Sequence, residues 1–84
     1  MYYSESVVSK TVNGVSETTK TVKDSSTGTE KISVTRQLGN KSSTVEKVKN
    51  HNSGEEQTFK RLENVNNGEE EIFDAMWREK AAQN

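Results

Sequence analysis

Eighty-four residues allow one small domain and nothing larger. Hydrophobic residues are 27% of the chain, and twelve Lys and Arg nearly cancel thirteen Asp and Glu to leave a net charge of −1. The absence of cysteine excludes a disulfide framework, a thiolate zinc site and a thiol nucleophile.

Two compositional signals pull in opposite directions. Val, Ile, Leu and Phe total 15 of 84 residues, a share typical of disordered chains, yet the self-repulsion that usually accompanies disorder is missing. No apolar run approaches the ~20 residues of a membrane span. The start MYYSES lacks the regions of a signal peptide, so a soluble, intracellular chain is expected.

Gly14, Gly28, Gly39, Gly54 and Gly68 each sit beside Asn, Ser or Thr and mark turns at regular spacing. Between them lie proline-free stretches rich in Val, Thr, Tyr and Ser: Tyr2–Val12, Val15–Asp24, Thr29–Leu38, Lys41–Asn50 and Glu56–Val65. These predict an antiparallel β-meander of four to five strands over residues 1–65. A two-residue turn at Asn13-Gly14 sets Val12 opposite Val15, Lys10 opposite Glu17 and Val8 opposite Thr19. A second at Gly39-Asn40 sets Val34 opposite Val45 and Ile32 opposite Lys47. Ile32, Val34, Leu38 and Val45 then share a face, and the other face is expected to be almost entirely Ser, Thr, Lys and Glu.

Residues 66–82 predict a helix. Ile72, Phe73, Met76 and Trp77 fall at i, i+1, i+4 and i+5, forming one apolar stripe. Glu69, Glu70, Glu71 and Asp74 come early and Arg78 and Lys80 late, which suits the helix dipole, and Asn66 or Asn67 is placed to cap the start. A helix this short does not persist alone, so the stripe is either core, packed on the apolar face of the sheet, or an anchor for a partner's groove. The fold class is therefore mainly β with one C-terminal helix, a single α+β domain over 1–84.

Catalytic and metal chemistry find no constellation. His51 is the only histidine and lies in a turn, where an exposed imidazole with no triad around it is the plain reading. Glu55-Glu56 and Glu69-Glu70-Glu71 lack the spacing and central glycine of a calcium loop, and no cofactor is expected. Serine and threonine make up 19 of 84 residues, which β and turn propensity explain better than phosphorylation. Lys10, Lys20, Lys31 and Lys47 do not share a face under these registers, so direct nucleic-acid binding is not expected.

From about Ser16 to Lys80 the chain resembles the C-terminal half of the conserved region of the myeloid leukemia factor family. The likeness is carried by Glu17 to Ser25, including Asp24, with Gly28 and Glu30. It continues through Lys49-Asn50-His51 to Gly54-Glu55, then Asn64-Val65-Asn66, and ends on Phe73-Asp74 with Trp77-Arg78-Glu79. Thr35, Arg36 and Gln37 stand where the family often has a Gly-His-His run, and Asn66 replaces its usual Asp. The family's upstream phosphoserine motif has no counterpart, so 14-3-3 binding is not carried over.

The resemblance implies an adaptor of cytoplasm and nucleus, without enzymatic activity. Its partners would be J-domain co-chaperones and heat-shock chaperones, with indirect effects on protein stability and transcription. The alternative from composition is a mostly disordered segment that folds when a partner covers Ile72 to Trp77. An excised domain and a short relative of the family are both compatible with this length.

Overall fold

The turns set the architecture. In the computed structural model, which describes residues 1–83, Asn13 and Gly14 both have positive φ, 51° and 81°, as a type I′ turn requires. At Gly39-Asn40 only Gly39 is positive, at 61°, the pattern of type II′. Both close two-residue hairpins in the expected registers, Val12 on Val15 and Val34 on Val45.

Five strands follow, β1 (Tyr3–Val12), β2 (Val15–Asp24), β3 (Thr29–Leu38), β4 (Lys41–Asn50) and β5 (Glu56–Glu63), then one helix, α1 (Glu70–Ala81). The sheet is antiparallel and its strand order is the chain order. The ends of the meander differ slightly from expectation. Strand β1 starts one residue later, and β5 stops before Val65 because Asn64 turns into positive φ at 56°.

The registers define two faces. Val12, Val15, Leu38 and Lys41 form one row, Lys10, Glu17, Arg36, Ser43 and Leu62 the next, and Val8, Thr19, Val34, Val45 and Lys60 the third. Helix α1 lies on this face, at the end carrying the Asn13-Gly14 and Gly39-Asn40 turns. The fully enclosed apolar residues are Val15 at 2% exposure and Phe73 at 3%.

The cover is shorter than the sheet. The helix packs on the apolar face as expected and shields its turn end, because twelve helical residues span ~18 Å and ten-residue strands run on for ~33 Å. Val8 and Ile32, on the same face, stay exposed. The far face is also less polar than expected. Carrying the register across all five strands places Tyr3, Val7, Val22, Val48 and Phe59 on it, with Tyr3, Val7 and Phe59 exposed.

The result is a single layer over much of its length. Its 6051 Å² of accessible surface exceeds the ~5,000 Å² that a compact chain of this mass presents. The radius of gyration is 15.0 Å against ~12 Å for a compact chain of this length. Cross-strand pairs do the work a core does elsewhere. Ser9 and Thr18 share a hydroxyl hydrogen bond at 3.0 Å and Thr35 and Thr44 another at 2.9 Å. Lys20 pairs with Glu5, and Arg36 with Glu17, each at 3.0 Å.

The helix ends about where the sequence reading places it but begins differently. Glu69, not Asn66 or Asn67, occupies the N-cap and makes no side-chain cap bond. Asn66 contributes only its main-chain carbonyl, which accepts from the Glu69 N–H at 3.0 Å, because Gly68 with φ 93° intervenes. At the other end, the Asn13 amide donates to the carbonyls of Lys80 at 3.0 Å and Gln83 at 2.5 Å. One side chain thus shapes the first turn and satisfies carbonyls that a helix leaves open at its C-terminus.

Asn13→Gly should keep the turn, since glycine adopts positive φ freely, while removing both bonds to the helix end. A loss of about 1 kcal/mol is expected, read as a lower urea midpoint at unchanged slope. Phe73→Ala should weaken helix docking by about 3 kcal/mol and red-shift Trp77 fluorescence.

Candidate interaction surface

The apolar stripe of α1 divides into an anchored half and an open half. Phe73 is buried and Trp77 half-buried, whereas Ile72 is 59% and Met76 45% exposed. Residues four apart lie on one side of a helix, so Phe73 and Trp77 face the sheet together and Ile72 and Met76 share the adjoining shoulder. Phe73 and Trp77 therefore serve the contact with the sheet, and Ile72 and Met76 are the part of the stripe left open to solvent.

Trp77 is held by two contacts. Its indole N–H donates to the Ser16 carbonyl at 3.2 Å, and the Arg36 guanidinium stacks 4.6 Å from its ring centre. Arg36 is at the same time bonded to Glu17 at 3.0 Å. The helix also reaches the far edge of the sheet through an ion pair between Glu70 and Lys60. Asp74, half-buried, lies between the two anchors.

The other motif positions separate to opposite ends of a molecule 43 Å long. Asn64 belongs to the helix end, where its side chain donates to the Asn40 carbonyl at 2.6 Å and its own carbonyl accepts from Lys41 at 3.2 Å. Asp24, Gly28 and Gly54 belong to the opposite end. There the Asp24 carboxylate accepts from the Ser26 hydroxyl and N–H at 2.5 and 2.9 Å. The Gly28 carbonyl accepts from the His51 N–H at 2.8 Å, and the Gly54 N–H donates to Asn50 at the same distance. A side chain at Gly28 would come within 2.5 Å of Asn52, at a φ of 69°. These residues build turns, and His51 joins them through its ring nitrogen at 3.1 Å from Glu30.

Among the described residues, the Ile72 and Met76 shoulder, the apolar residues on the far face and the outward edges of β1 and β5 have no partner inside the chain. The sequence reading missed Asn13, Arg36, Tyr3, Val7 and Phe59. A full five-strand register was the signal that places the last three; the tie from Asn13 to the helix had none. Among the described residues no cluster of His, Asp and Glu has the form of a metal site, and no helix is long and apolar enough to cross a membrane. Lys10 and Lys47 lie on one face and Lys20 and Lys31 on the other, so the lysines form no common stripe.

Compared with known proteins, the chain matches the family model described as Myelodysplasia-myeloid leukemia factor 1-interacting protein over residues 1–80. That span includes β1, which precedes the stretch carrying the resemblance read from sequence. No curated protein and no solved structure matches the chain.

Two exposed carboxylates respond to their partners. The Lys20 ammonium and the Tyr3 hydroxyl both donate to Glu5 and hold its carboxyl below the ordinary glutamate value. The Ser26 hydroxyl and N–H do the same for Asp24. A lowered folded pKa means that the stabilisation is present above the unfolded value and is lost as pH falls through the folded one. Carboxyl NMR titration should therefore find both midpoints below the ordinary Glu and Asp values, and stability should rise with pH across that acidic interval and level off above it.

Proposed function

The chain belongs to the Myelodysplasia-myeloid leukemia factor 1-interacting protein family, and we propose that it is a non-enzymatic interaction domain whose partner is a myeloid leukemia factor. The observation that supports this reading is the divided stripe. Phe73 and Trp77 lock α1 to the sheet, while Ile72 and Met76 are presented to solvent on a helix already held in place. Paired large apolar residues at i and i+4 are the form in which a helix seats in a partner's hydrophobic groove. Prior anchoring lowers the ordering entropy lost on binding.

In this reading the domain acts as an adaptor in cytoplasm and nucleus. Through its partner it is brought to J-domain co-chaperones and heat-shock chaperones, influencing protein stability and, indirectly, transcription. No substrate, cofactor, membrane or nucleic acid takes part.

Titration calorimetry of the purified chain against a purified myeloid leukemia factor tests the proposal. Binding is expected, and the double variant Ile72→Asp with Met76→Asp should weaken it at least about tenfold while circular dichroism and Trp77 fluorescence stay unchanged. No binding by the parent chain would overturn the partner, and full-strength binding by the double variant would overturn the surface.

A further inference from the structure

The two edges of the sheet are built differently. Strand β5 carries four charges in eight residues, Glu56, Lys60, Arg61 and Glu63, and Lys60 is tied to the helix through Glu70. Charge of that density deters edge pairing. Strand β1 carries only Glu5 and Lys10 in ten residues, with no proline and an unbroken register against β2. Every residue from Tyr3 to Thr11 is exposed. It is a long, regular, nearly uncharged free edge.

The hairpin determines which main-chain groups that edge offers. In a two-residue type I′ hairpin the residues flanking the turn, Val12 and Val15, exchange both hydrogen bonds, and the pattern alternates from there. Val12, Lys10, Val8, Ser6 and Ser4 are therefore bonded to β2. Tyr3, Glu5, Val7, Ser9 and Thr11 direct N–H and C=O away from the sheet.

From this we infer that β1 pairs antiparallel with β1 of a second copy of this chain, across a twofold axis at Val7, to make one continuous sheet. Such an axis stands perpendicular to the sheet and keeps each residue on its own face, so only residues of equal parity meet. Centred on Val7, the register sets Val7 against Val7, Glu5 against Ser9 and Tyr3 against Thr11, all bonded through their outward groups. On the other face Ser6 meets Val8 and Ser4 meets Lys10. No like charges are opposed, each carboxylate faces a hydroxyl donor, and the two copies of Val7, exposed in the single chain, cover one another. The chain's net charge of −1 adds little repulsion between copies. An interface one strand long lies at the small end of the size range, so the dimer is a weak one that forms with rising concentration.

The test is sedimentation velocity of the full chain over a concentration series, with residue-resolved amide exchange on the same samples. The mass should move from one chain toward two. The amides of Glu5, Val7 and Ser9 should become protected as it does, whereas those of Ser6 and Val8 are protected throughout. Val7→Pro removes an outward N–H and no bond to β2, and should weaken the dimer at least about tenfold. If that variant fails to fold, Val7→Lys, which opposes two cations across the axis, reports in its place. The inference is overturned by a single-chain mass at every concentration, by assemblies growing beyond two chains, or by a dimer in which Glu5, Val7 and Ser9 still exchange freely. The Ile72 and Met76 double variant should dimerise normally, so this result stands or falls apart from partner binding.

Discussion

The guanidinium of Arg36 joins the two halves of this molecule. On one side it is bonded to Glu17, its register partner across β2 and β3; over it lies the indole of Trp77. A slip of one residue between those strands would send Arg36 to the other face and remove the platform on which the helix rests. The ion pair itself is partly exposed and contributes at most about 1 kcal/mol. Its importance is geometric, because the same planar group reads the strand register and receives the aromatic ring.

Beyond that joint the sheet has no interior. Shape and stability come from the main-chain ladder and from side-chain pairs between neighbouring strands, which explains how a chain so poor in aliphatic residues holds an ordered fold. Hydroxyl pairs and ion pairs replace buried volume, and the abundant Ser, Thr, Lys and Glu are its structural material. The apolar side chains left outside are available for binding.

Much of this was legible in the sequence. The turn at Asn13-Gly14 requires positive φ at two successive residues, and Asn-Gly satisfies that better than most pairs, so the hairpin and its register followed from local chemistry. The strand limits followed from the same turns to within a residue or two. What stayed hidden depended on distance. Ile72 and Phe73 are adjacent and similar in hydrophobicity, and only the direction from which the sheet approaches decides that one is enclosed and the other not. Asn13 and Lys80 are 67 positions apart, and nothing local in either signals the contact. Likewise, the motif positions Asp24, Gly28 and Gly54 looked continuous with Asn64, Phe73 and Trp77, although they maintain turns at one end while the latter maintain the helix joint at the other.

The strand order carries a further consequence, for the route by which the chain becomes structured. Each strand pairs only with its neighbours in sequence, so no two paired residues are more than 23 positions apart, the separation of Val15 and Leu38, and the loops that close are of moderate length. The meander can grow hairpin by hairpin from either tight turn. A single long-range event remains, the return of the helix to the first hairpin, where Trp77 meets Ser16 across 61 positions. That return lands on Arg36 only where β2 and β3 are already in register, so docking of the helix follows the pairing of those two strands.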